Sequence, residues 1–347
     1  MFLLVIFILH YVLAFLGIVF NTILIFLTLF RSPKSIGTFS ILLTVRGGSD
    51  ALACFFDIFS QSRLIPSGTT LGIASTGLCK YLSEWSCFLG FSLQLHFHSY
   101  SFHLLILCFI FRCYVLLERY PKAKQLIILI CIIYFPSYLQ AIFVFIDNNK
   151  PEDVRQLIQI HHSQYKLQDF VINGHADLRE FPCLFSYLLM LIPIIPGYLI
   201  MYGLRRKIHF KLRNAILRPE IREKHRQLTW ALTVQTIVPI AFIFSSICFL
   251  LGQLRIVESP VLESFTLLFA VLVPVINPLI TVTFIKPYRE SVMRAVGIDP
   301  KILIFMSREC SVAPGDTNSS MFGSFDNSSV ASVTSKFTIT LEKGTFD

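Results

Sequence analysis

Asn277-Pro278-Leu279-Ile280-Thr281 lies inside an apolar run that opens near Val261, and Lys286-Pro287-Tyr288-Arg289 closes it. A second proline, Pro274, stands one turn before Pro278. Each proline deletes a backbone donor, and Asn277 puts an amide where hydrocarbon is expected. Both features are costly in lipid unless neighbouring helices satisfy the freed groups. The segment must therefore pack in a bundle, and it is suited to bending.

The rest of the chain agrees with a bundle. Hydrophobic residues make up 54% of the 347 residues and charged ones 15%, and the mean hydropathy is +0.67. That composition excludes an ordinary soluble domain and points to an all-α, multi-span membrane protein. The net charge of +9 is read as a determinant of membrane orientation, so no nucleic-acid partner is expected. The first apolar run has no basic residue ahead of it, exceeds a signal-peptide core and lacks a clear cleavage site. It reads as a retained span.

Runs of about 20 apolar residues predict seven helices: Phe2–Phe30, Phe39–Phe59, Glu84–Leu116, Gln125–Ile146, Leu184–Leu204, Leu228–Leu251 and Val261–Ile285. Charge alternates between the connections. Those after the first, third and fifth spans and the tail, counted with Arg112 at the end of the third span, hold 22 of the 30 Lys and Arg residues, and the other set holds seven. Arg46 falls inside the second span. The positive-inside rule then puts the N-terminus outside and the C-terminus in the cytoplasm. Asn318 and Asn327, both in N-x-S sequons, would be cytosolic and unglycosylated. Residues 1–296 are expected to form the bundle. Residues 297–347, Ser/Thr-rich beyond Cys310, are expected to be a mostly disordered tail open to phosphorylation. The loop from Asp147 to Pro182 is expected to hold one short helix near Glu152–His162.

Several polar residues inside spans are candidates for function. Cys87, Gln94, His98, Ser101, Leu105 and Arg112 fall on one stripe of the third span, with the thiol and the cation roughly 37 Å apart. Gln94 and His98 suit either a ligand contact or an interhelical hydrogen bond. Arg112 suits either a boundary cation or a signalling surface. A candidate ligand pocket is formed by Asp57, Gln94, His98 and Glu263. In the second span Arg46 and Asp50 are spaced for an ion pair, and Asp50 is placed to face Asn21 and Asn277 in a polar network. Cys183 is expected to bridge Cys87, with Cys79 as the rival partner. Pro136, Pro193, Pro196, Pro239, Pro274 and Pro278 place kinks in the later spans, and Gln235 is positioned to satisfy a carbonyl freed by Pro239. The basic third loop, Arg205 to Arg226, suits anionic lipid or an intracellular docking partner. Cys310 is a weak candidate for palmitoylation. No metal site or cofactor is expected, and no nucleophile–base or Walker pattern supports an enzyme.

Seven spans, the Asn277-Pro278 pair and the Arg112 stripe resemble a G-protein-coupled receptor. More narrowly, the chain is similar to the nematode chemosensory receptors of serpentine receptor class delta. The stretches that carry the likeness are Pro33-Lys34-Ser35, Gln61 to Gly68, Phe111-Arg112-Cys113-Tyr114, His225 to Pro239 and Lys286 to Arg289, within a likeness running from about Leu9 to Val296. The chain departs from the general pattern at Val45-Arg46, where a polar pair usually precedes the aspartate. The resemblance implies a plasma-membrane olfactory receptor in the sensory cilium. It would signal to a heterotrimeric G protein through Arg112, Asn277, Pro278 and Tyr288. The mostly apolar pocket itself suggests a volatile or lipid-like small molecule, with a peptide reaching it through the outer loop as the alternative. A seven-span ligand-gated channel or transporter without G-protein coupling is the alternative, disfavoured by the lack of an internal repeat.

Overall fold

The computed structural model describes residues 2–32, 37–115, 122–214, 234–238 and 240–297. The Pro33-Lys34-Ser35 motif, Arg119, most of the third loop, Pro239, Cys310 and both sequons lie outside the described residues. So does the first part of the sixth expected span.

Ten α-helices are described: α1 (Phe2–Phe30), α2 (Phe39–Ser60), α3 (Glu84–Val115), α4 (Ala123–Ile146), α5 (Pro151–His161), α6 (Phe181–Leu191), α7 (Ile194–Asn214), α8 (Ile240–Gln253), α9 (Pro260–Phe284) and α10 (Lys286–Ala295). Six segments are long and apolar enough to cross a membrane, with α6 and α7 counted as one, and α8 is a shorter apolar helix. The protein is a seven-transmembrane helix bundle. Its lipid-facing surface is legible in α1 and α4, where Phe7, Ile8, Val12, Phe15, Ile128, Ile132 and Phe135 are all exposed. In water such a surface would be an aggregation hazard. In hydrocarbon it costs nothing, because α-helices satisfy their own backbone groups. The helix α3 is the opposite case, buried along most of its length, and it forms the central post.

Local sequence explains the starts of two of these helices. Ser83 and Ser86 exchange backbone-to-hydroxyl bonds at 3.2 and 3.1 Å at the head of α3, a reciprocal cap. Ser259 accepts from the Val261 N–H ahead of α9, with Pro260 at the first helical position. The expected fifth span, Leu184–Leu204, is interrupted between α6 and α7. Pro193 cannot donate to the carbonyl four residues back, and the helix restarts after it.

A three-stranded antiparallel sheet closes one end of the bundle, a feature the sequence reading did not anticipate. Its strands are β1 (Ser62–Ser67), β2 (Thr70–Ser75) and β3 (Val171–His175), in the order β1-β2-β3. Ser67 pairs with Thr70, leaving Gly68-Thr69 as a two-residue turn with Gly68 at φ +68°. That is the glycine-first hairpin turn whose twist suits two antiparallel strands. The sheet is buried on both faces. Leu64, Leu71 and Ile73 pack on Phe88, Phe91 and Phe249 of the bundle, while Ile65, Ala74 and Ile172 pack under Val154 and Ile158 of α5. Gly174 is obligatory at φ +144°, since a Cβ there would lie 2.1 Å from the Leu71 carbonyl oxygen.

Candidate ligand cavity and switch network

Pro278 lacks an N–H, which frees the carbonyl of Pro274. Asn21 on α1 supplies the missing donor: its Nδ2 lies 2.8 Å from Pro274 O and 2.8 Å from Gly17 O. Both residues are buried. Asn277, next to the proline, turns to α2 and donates from Nδ2 to Asp50 Oδ2 at 3.3 Å. Ser101 of α3 donates to the other Asp50 oxygen. Thr281 donates to the Asn277 carbonyl at 2.9 Å and accepts from Gln235 Nε2 at 3.0 Å. One buried set of bonds therefore joins α2, α3, α9 and the residues just before α8, with Asn21 clamping α1 to the same proline-bearing turn.

Two expectations change here. Asp50 is not within ion-pair distance of Arg46. Arg46 is buried, with Nε and one terminal nitrogen lacking a hydrogen-bond partner, and the guanidinium lies beside the Cys108 thiol instead. Asn21 bonds to backbone rather than to Asp50. Gln235 reaches across to Thr281; its expected role at Pro239 falls outside the described residues.

The α3 stripe meets α2 along its length. Gln94 donates to Asp57 Oδ1, and Ser60 donates to Gln94 Oε1 at 3.2 Å. His10 Nε2 of α1 lies 2.8 Å from Asp57 Oδ2. At the far end of the stripe the Arg112 guanidinium sits 3.6 Å from the centroid of the Phe39 ring, a cation–π contact. Tyr288 of α10 is fully buried beside Arg112 and shares a 2.6 Å hydrogen bond with Ser32.

The expected Cys87–Cys183 bridge is not formed. Cys87 is bonded to Cys79, eight residues earlier, and Cys183 is a buried free thiol. The 3-10 turn Leu78–Tyr81 folds the chain back onto the head of α3, which brings Cys79 to Cys87.

Of the four candidate pocket residues, His98 lines a cavity of about 20 Å³ between α3, α6, α7 and α8, together with Ser99, Phe102, His103, Met190 and Phe242. His98 Nε2 and Ser99 Oγ have no hydrogen-bond partner among the described residues. Asp57 and Gln94 are engaged with each other, as above. Glu263 belongs to the sheet end: it accepts from Arg63 Nε of β1 at 2.8 Å and from the Tyr165 hydroxyl at 2.9 Å. Burial, and then the adjacent Glu263 carboxylate, hold the Tyr165 phenol above its usual range. Gln253, at the end of α8, donates to the Gly68 carbonyl in the hairpin turn. The sheet is thus tied to the ends of α8 and α9.

A seven-helix bundle with a polar relay across its proline-bearing last span is the framework of a transmembrane receptor. The family profile described as Serpentine type 7TM GPCR chemoreceptor Srd matches residues 6–294, and the chain belongs to this family. Among its relatives from Caenorhabditis elegans, Serpentine receptor class delta-18 is 32% identical over 303 residues, covering 85% of this chain and 89% of that one. Serpentine receptor class delta-1 is 30% identical over 289 residues, covering 81% and 78%. The protein is therefore a membrane protein of a chemoreceptor family, and its relatives are receptors rather than enzymes.

Proposed function

We propose that the chain binds a small external molecule and signals to a heterotrimeric G protein, with the sheet-capped end outside the plasma membrane and the Arg112 end in the cytosol. The observation that carries this reading is the buried relay from Asp50 through Asn277 and Thr281 to Gln235. It links the helix around Pro278 to the base of α8, the helix that presents Phe242 to the cavity.

The cavity has room for about one water molecule, far below the several hundred Å³ that enclose a typical ligand. A ligand must therefore open it by moving α8 or the α6–α7 pair away from α3. Only a molecule that binds the opened form better will shift the equilibrium. The lining is mainly apolar, with two imidazoles and one hydroxyl, which suits a volatile or lipid-like molecule bearing one or two hydrogen-bonding groups. Displacing Phe242 pulls on the Gln235–Thr281 bond, and the bend of α9 then responds. The same movement draws Tyr288 from beside Arg112 and bares the arginine for the G protein. Residues 297–347 form the cytoplasmic tail on this reading, and a sensory cilium is the expected location.

The test is a panel of volatile and lipid-like compounds applied to cells expressing the chain, read as a cyclic-nucleotide or calcium change. At least one compound should evoke a response that Arg112→Ala abolishes at unchanged surface expression. Ligand-evoked current in bilayers reconstituted without G protein would instead establish a channel.

A further inference from the structure

Cys183, left without a disulfide partner, sits in a second buried polar cluster remote from the relay. Asp147 caps the end of α4, His175 ends β3 and Cys183 occupies the first turn of α6. Their ligand-capable atoms all lie within 4.8 Å of one another. His175 and Cys183 are fully buried, and Asp147 is 9% exposed. The thiol lies beside the Asp147 carboxylate.

The imidazole is held in one orientation. His175 Nδ1 is 2.7 Å from the Asp147 carbonyl oxygen and 3.1 Å from Asp147 Oδ2. A carbonyl only accepts, so Nδ1 carries the proton in this hydrogen-bonded form; an ion bound beside the carboxylate takes the Nδ1 lone pair, and the ring proton moves to Nε2. Nε2 has no hydrogen-bond partner, and neither does the hydroxyl of Tyr187 one turn further along α6. The two rings meet edge to face with centroids 5.9 Å apart. Orphaned nitrogen and oxygen atoms beside a carboxylate and a thiol are costly in a buried site, because nothing replaces the water they gave up.

From this geometry we infer a transition-metal site, with Zn2+ as the fitting ion. Carboxylate oxygen, imidazole nitrogen and thiolate sulfur form a borderline-soft donor set suited to zinc. Two anionic donors exactly offset a divalent charge, so the loaded site is neutral in a poorly solvated place. Zinc bonds of roughly 2.0 to 2.3 Å put ligand atoms about 3.5 Å apart, so the cluster must tighten by about an ångström, within the reach of side-chain rotation. Binding displaces the thiol proton to solvent and requires no oxidant or reductant. Three protein donors leave a fourth position for an external ligand. The ion would staple α4, the lid strand β3 and α6 together.

The experiment is Co2+ titration of the purified full-length chain in nanodiscs, read as the thiolate-to-cobalt charge-transfer band. The wild-type chain should show the band, Cys131→Ser should keep it, and Cys183→Ser should lose it. His175→Gln should weaken Co2+ binding by at least about tenfold, the lower range for disturbing even an outer-shell group. It also serves as the comparison if Cys183→Ser does not fold. Absence of the band from the wild-type chain, or its survival unchanged in these two variants, overturns the site.

Discussion

Asn21 and Pro274 are 253 positions apart, yet one hydrogen bond between them repairs what Pro278 removes. An unpaired buried carbonyl costs about 1 to 3 kcal/mol, while side-chain bonds between membrane helices average nearer 0.6 kcal/mol, because the unfolded reference also finds partners. Asn21→Ala should accordingly lower stability by about 1 to 2 kcal/mol, measured by denaturant unfolding in detergent. The mechanism makes a sharper demand. In a Pro278→Ala background the restored N–H bonds to Pro274 O, so Asn21→Ala should then cost less than about 0.5 kcal/mol, the usual scatter of additive pairs. Equal costs in both backgrounds would show that Asn21 acts by packing alone. Sequence marked Asn21, Asp50 and Asn277 as polar residues that needed partners. It placed Asp50 facing Asn277, which does bond to it, but did not reveal that Asn21 would turn to backbone, because backbone carbonyls are absent from a side-chain pattern. Arg46 has the same lesson: its spacing fits an ion pair with Asp50, but Asp50 is already taken by Ser101 and Asn277.

Hydropathy made the seven-span architecture legible, since only a helix or closed barrel satisfies its backbone in lipid. The sheet was hidden by the same emphasis. Its strands, SRLIPS and TLGIAS, are too short and mixed to stand out beside runs of membrane length, although Gly68-Thr69 between them carried a hairpin signal. Two tethers fix this sheet to the ends of α8 and α9: Gln253 to Gly68, and Glu263 to Arg63 and Tyr165. Glu263 is 4% exposed, so stripping one partner leaves a poorly solvated carboxylate. Arg63→Met should therefore loosen β1 and β2 more than Arg63→Met combined with Glu263→Gln, which removes the stranded charge. Amide hydrogen exchange reads this as local opening. The single variant should lower the opening free energy of the hairpin by about 1 to 3 kcal/mol, and the double variant should recover part of it. Greater loss in the double variant would mean that the lid is held by its apolar faces and not by the tether.

At the scale of the whole molecule the two ends of the bundle differ in construction. One is closed by the sheet, α5 and the Cys79–Cys87 bond; the other gathers Arg112, Tyr288 and Ser32. The basic residues divide the same way, with the sheet end poor in Lys and Arg and the opposite connections rich in them. On the proposed orientation, with the basic loops retained in the cytosol, the sheet lies outside, where a disulfide forms readily. Glycosylation tests this directly, because acceptor sequons are modified only on the outer side of the topology. The natural sequons at Asn318 and Asn327 should remain bare. A new one can be built in the lid by Gln164→Asn with Lys166→Thr, since positions 164 and 166 are both exposed. This variant should gain one glycan, seen as a mobility shift reversed by endoglycosidase, and an N-terminal epitope should stain intact cells. Sugar on the wild-type chain, with none added in the lid variant, would invert the molecule. Arg112 would then face outward, and G-protein coupling at that end would be physically impossible.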